Sequence, residues 1–132
     1  VNRCGDALSQ DDYNCAIDEF TESFDRIAFI LSKQSFLVGD QFSEADIHLF
    51  VILLRLDEVY SVLFRINTRS VISSPTILNY MRRIYQMKGV AETCNMEMIK
   101  ISFFTSYLEL NKYSIIPRGE NIKALLEEEP HD

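Results

Sequence analysis

No run of 18 consecutive apolar residues occurs in this sequence, which excludes a membrane-spanning helix. The N-terminus, VNRCGDALSQ, lacks the apolar centre of a secretory signal peptide and also lacks an initiator methionine, so the chain reads as a fragment or a processed product. Cysteine is scarce: Cys4, Cys15 and Cys94 are odd in number and none is spaced as CxxC. That pattern predicts a reducing compartment, cytoplasmic or else organellar after removal of a targeting segment, and buried, unreactive thiols. Only two histidines are present, His48 and His131, far apart in the chain, so no cluster of metal ligands is expected. Basic residues are outnumbered 13 to 20, giving a net charge of −7. Nucleic acid and anionic membrane surfaces both need a basic footprint, so neither is expected as a partner. GxSxG, P-loop, GxGxxG and HExxH motifs are all missing, and no internal repeat or low-complexity tract appears.

What is present is helical periodicity. The chain is 132 residues long and 47% hydrophobic, sufficient for one domain with a substantial core. Between Ser9 and Gln34, apolar residues recur in steps of three or four at Tyr13, Ile17, Phe20, Phe24, Ile27 and Leu31. This spacing predicts one long amphipathic helix with Asp18, Glu22, Asp25 and Arg26 on its solvated side. Ser9 and Asp12 open it as a capping box, and the turn around Gly39 closes it. The stretch DQFSEADIHLF (40–50) starts a second helix running to about Tyr60. Ser43 and Asp46 form a capping box there, with Phe42 and Ile47 placed as a hydrophobic staple. Its body, Ile47 to Leu56, is apolar on nearly every side, which predicts the buried centre of an all-helical domain.

A third helix is punctuated by Ser74 as N-cap, Pro75 at its first position and Gly89 at its end, with Ile77, Leu78, Met81, Ile84 and Tyr85 inward. A fourth is expected over about 91–107, and 61–73 as a short helix and loop. Beyond Asn111 the chain reads as irregular, ending in a solvated acidic tail. From Glu120 to Asp132 five carboxylates face one lysine, a net −4. The expectation is an all-α bundle of four to six helices, one domain over 1–132, with an extended C-terminal tail.

The segment FLVGDQFSEADIHLF (36–50) resembles the signature of the C-terminal helical domain of glutathione transferases. RLDEVY (55–60), PTILNYMRRIYQMKGVAETCN (75–95), NKYSIIPRG (111–119) and LLEEEPHD (125–132) follow in the order and spacing of one subfamily. Together they resemble the xi class, the glutathionyl-hydroquinone reductases, over nearly the whole chain from about Ser9. The resemblance implies a complete protein with an N-terminal thioredoxin-like domain, whose cysteine attacks the thioether sulfur of a glutathionyl-hydroquinone. A mixed disulfide with glutathione forms, and a second glutathione resolves it.

It also implies a homodimer, and a quinone pocket built from three tyrosines of the helical domain. Tyr60 matches one of these. Phe103 occupies the second without the hydroxyl, and VNRCGDALSQ has no counterpart of the third. Substrate-binding roles are therefore expected for Tyr60 and Phe103, a lesser part for Arg55 and Asp57, and no catalytic residue in this chain. Cys4 does not fill that role, since it precedes the first long helix. Glutathione enters as a co-substrate of the complete protein. The alternative is a catalytically inactive helical scaffold or interaction module of the same ancestry.

Overall fold

The computed structural model describes residues 1–130. His131, and with it the end of the acidic tail, lies outside the described residues. The described chain is all helical. A short helix α1 (Asn2–Asp6) leads into α2 (Gln10–Leu31), then α3 (Glu44–Arg55), α4 (Pro75–Tyr85), α5 (Met96–Ser106) and α6 (Ile122–Leu126). α3 continues without a break through a π-helical turn, Leu56–Tyr60, and a last α turn, Ser61–Leu63. Among the described residues, extended pairing is limited to isolated bridges, Phe36 to Gly39 and Val38 to Gln41, in the loop that Gly39 turns at φ +76.

Local chemistry explains the element boundaries. Ser9 Oγ accepts from the Asp12 amide at 3.1 Å and starts α2. Along that helix Ile17, Phe24 and Leu31 are buried, with Tyr13, Phe20 and Ile27 half-buried beside them. Asp25, exposed as expected, also takes two hydrogen bonds from Arg69, at 2.7 and 2.9 Å, which tie the 64–74 loop to α2. Cys15 is exposed on the same outer side, so the buried-thiol expectation fails there and holds for Cys4. The helix expected over 91–107 is split. Ala91–Thr93 is a 3₁₀ turn, and Asn95 restarts the chain by accepting from the Met98 amide at 3.1 Å. An asparagine side chain competes for backbone in this way, which makes it a better cap than an interior residue.

Two expectations are overturned in ways that bear on function. α3 is not wrapped by protein. Phe50, Leu53 and Leu54 face inward, whereas Ile47, Val51 and Ile52 lie open on its other side. The enclosed helix is α4, which touches α2, α3 and α6 and buries Ile77, Leu78, Tyr80, Met81, Arg82, Ile84 and Tyr85. The tail is not merely solvated either. Ile122 and Leu126 of α6 are fully buried, and Arg82, 4% exposed, holds the Leu125 carbonyl at 2.7 Å and Glu128 at 2.8 Å. Ile122 and Leu126 thus join the core, so the tail is not irregular there, while Glu127, Glu128 and Glu129 are exposed as expected.

Candidate functional site

At the head of α3 the capping box is formed. The Asp46 carboxylate accepts from the Ser43 amide at 2.9 Å, Ser43 Oγ at 3.2 Å and the Leu37 amide at 3.0 Å. A fourth donor comes from α4, the Tyr80 hydroxyl at 2.7 Å. Burial pushes this carboxyl up, and the four donors outweigh it and hold it below the ordinary range. The staple differs from expectation. Phe42 sets its ring edge against Phe36, 5.8 Å between centroids, while Ile47 remains about half exposed on the open face of α3. His48 is exposed as well, beside Glu44 one turn earlier.

The far end of α3 delivers Tyr60. A π turn adds a residue to the helical repeat and re-aims the side chains that follow it. Here it brings Tyr60 and Phe64 to α5. The Tyr60 ring stacks on Phe64, 5.2 Å between centroids and 8° between planes, and meets Phe103 edge-on at 5.7 Å and 82°. Phe103 in turn stacks on Tyr107 at 5.9 Å and 5°, and Tyr107 meets Phe64 edge-on at 5.4 Å and 79°. The four rings form a closed square, alternating between the two favoured geometries of aromatic pairs. Tyr60 and Phe103 are thus brought together, and Phe64 and Tyr107 join them. The signal for the added pair was in the spacing: Tyr60/Phe64 and Phe103/Tyr107 are both four apart, the separation that puts side chains on one helical face.

The surroundings fix this square. A Cβ on Gly5 of α1 would fall on the ring of Phe64, so the α1 backbone rests directly against it. The Arg55 guanidinium lies 6.0 Å from the centre of Phe103 and donates to the Val51 carbonyl. Burial pushes the Tyr60 phenol up, against the pull of the Arg55 charge, so it stays a neutral donor. Asp57 has a structural task, accepting from the Val71 and Ile72 amides at 2.8 and 2.9 Å. Tyr60 is 8% exposed and Tyr107 38%. A cleft of about 1180 Å³ opens beside the square between the α1–α2 junction and the end of α5. Tyr107 is part of its wall; Tyr60 and Phe103 are not.

Two of the three thiols, Cys4 and Cys94, are poorly suited to nucleophilic work. Burial raises the Cys4 thiol against the pull of the N-terminal ammonium and Arg3. Burial raises Cys94 too, against Thr93 and Arg55. A reactive cysteine needs the opposite shift.

Comparison with known proteins agrees with this architecture. The chain is 36% identical over 119 residues to the glutathionyl-hydroquinone reductase YqjG of Escherichia coli, covering 90% of this chain and 36% of that protein. It is 31% identical to the glutathionyl-hydroquinone reductase PcpF of Sphingobium chlorophenolicum, covering 90% and 38%. The glutathione-bound structure of YqjG superimposes with a TM-score of 0.91 at 34% identity, over 98% of this chain and 41% of that one. Glutathione transferase Xi 1 from Trametes versicolor gives 0.86 at 38% identity, over 90% and 41%. The chain therefore spans under half the length of these relatives. The family model of the glutathione S-transferase C-terminal domain matches residues 5–83. The xi-class resemblance read from the segments 36–50, 55–60 and 75–95 is borne out, and this chain belongs to the glutathione S-transferase C-terminal domain family.

Proposed function

We propose that this chain is the substrate-pocket half of a glutathionyl-hydroquinone reductase-like glutathione transferase. One observation carries the reading: the tyrosine of RLDEVY meets Phe103 in a fixed aromatic square, in a chain similar to two glutathionyl-hydroquinone reductases over 90% of its length. In this reading the rings present a flat apolar wall to an aromatic ligand, and the Tyr60 phenol donates a hydrogen bond to a quinone oxygen. The cysteine nucleophile and the glutathione cradle belong to a thioredoxin-like domain elsewhere in the complete protein.

There, a thiolate attacks the thioether sulfur of the conjugate. The carbon–sulfur bond breaks, the hydroquinone leaves with a proton, and a cysteine–glutathione disulfide remains for a second glutathione to reduce. This chain supplies neither group and is inactive alone. Its open α3 face, with Ile47, Val51 and Ile52, is the surface we assign to the thioredoxin-like domain, because exposed apolar patches of this kind mark docking surfaces. Homodimerisation and a cytoplasmic setting complete the proposal; no helix among the described residues is long and apolar enough to cross a membrane.

The test is a reductase assay on the complete polypeptide with glutathionyl-menadiol and glutathione. Release of menadiol and glutathione disulfide is expected from the complete protein and not from residues 1–132. Conjugate binding without turnover would overturn the reductase reading and favour the inactive scaffold.

A further inference from the structure

Three tyrosines stand at the cleft and the aromatic square, and two of them are taken up by the fold. Tyr13 donates to the Arg65 carbonyl, and Tyr60 is held within the square at 8% exposure. Tyr107 is exposed, lines the cleft, and its hydroxyl makes no hydrogen bond among the described residues. Its position is nonetheless fixed. α5 unwinds at Tyr107, where ψ is 65°, and the amide returns to the Phe103 carbonyl at 3.3 Å. Its ring is held by Phe103 on one side and Phe64 on the other. A rigid phenol without a protein partner at the wall of a cleft is a ligand-facing donor.

The rest of the cleft indicates what it takes. Ala7, Leu8, Leu108 and Leu110 give apolar walls, and Leu8 is 97% exposed. Opposite lies Arg65, a non-glycine residue at φ +57, with its carbonyl secured by the Tyr13 hydroxyl and its neighbour's amide, Ile66 N–H, bonded to the Tyr60 carbonyl at 3.3 Å. Backbone strain of this kind persists where the surroundings enforce it and concentrates at functional sites. Apolar walls and the Tyr107 phenol, with Arg65 balanced by the carboxylates of Asp6 and Glu109, suit an uncharged planar aromatic compound bearing an acceptor oxygen.

We propose that Tyr107 is a specificity-determining residue that hydrogen-bonds the ring oxygen of a quinone-type aromatic ligand seated in this cleft, one helical turn beyond the phenylalanine that has no hydroxyl to offer. The assignment rests on the aromatic-pocket reading above. It adds an outer donor at position 107, where position 103 has none, and extends the seat of the ligand from the square into the cleft that Tyr107 lines.

The experiment is an amide-detected NMR titration of the 132-residue chain with two probes. 1-Tetralone carries a carbonyl oxygen on a fused ring and is not redox-active; tetralin is the same skeleton without the oxygen. Tetralone is expected to bind more tightly and to shift the amides of Ser9, Gln10, Asn67 and Leu108. Tyr107→Phe keeps the ring packing, and should weaken tetralone about 3- to 10-fold, the range of one hydrogen bond, while leaving tetralin unchanged. If Tyr107→Phe binds tetralone like the parent chain and Tyr60→Phe is the variant that loses it, the Tyr107 assignment is overturned while the aromatic-pocket reading stands. If the parent chain does not distinguish the two probes, both fall.

Discussion

Asp46 accepts four hydrogen bonds while fully buried, and it joins the loop before α3, the start of α3 and the centre of α4. Substituting Asn leaves donors facing a group that cannot accept from all of them. Asp46→Asn is expected to cost about 2–3 kcal/mol at pH 7, read from urea denaturation. The pH dependence has a definite sign. The folded carboxyl ionises below its unfolded value of about 3.9, so its contribution is present above that value and is lost as pH falls through the folded one. The stability gap between parent and Asp46→Asn should close over that interval. Glu58 acts in the opposite sense: burial raises it against Lys100, 3.7 Å away, so its contribution is complete below about 4.3 and is lost as pH rises through the raised value. The difference between parent and variant, rather than the parent alone, therefore isolates Asp46.

Helix ends, more than helix bodies, position the candidate site. The π turn at Leu56–Tyr60 aims Tyr60 and Phe64 at α5, and the unwinding of α5 sets Tyr107 beside them. α6 illustrates how a tertiary contact captures a segment with weak local signals. Its five residues are too few for an independent helix, and its order comes from burial of Ile122 and Leu126 together with the grip of Arg82 and Gln86 on its carbonyls. Arg82→Ala is expected to destabilise the chain by about 2–4 kcal/mol and to abolish amide-exchange protection over residues 122–128, measured by hydrogen–deuterium exchange. Arg82→Lys should recover little of either, since an ammonium cannot reach the Leu125 carbonyl and the Glu128 carboxylate with the same planar fork.

On the scale of the molecule, one side of α3 is unfinished. Ile47, Val51 and Ile52 expose apolar surface on a helix whose opposite face is core. The isolated chain is expected to self-associate as concentration rises, and Val51→Glu with Ile52→Glu to keep it monomeric, in sedimentation velocity runs. Because both residues are surface-exposed, the double variant should retain the helical circular dichroism of the parent. A parent chain that stays monomeric at high concentration would contradict the docking role assigned to this face.

Helix class, the caps at Ser9, Ser43 and Ser74, and the inner face of α4 were legible in the sequence because they are local. Capping pairs lie three residues apart, and the faces repeat every three or four, so no distant partner is needed to define them. The segments that resemble the family were legible for the same reason, as ordered local strings. Tertiary structure alone decided which apolar helix is enclosed, since hydrophobicity on every side of α3 says that it can be covered and not by what. It also decided that the acidic tail docks, because buried Arg82 reaches it across more than 40 positions of chain. And it decided the membership of the site. Tyr60 and Phe103 were visible as single residues, whereas the square with Phe64 and Tyr107 exists only where the end of α3 meets the end of α5.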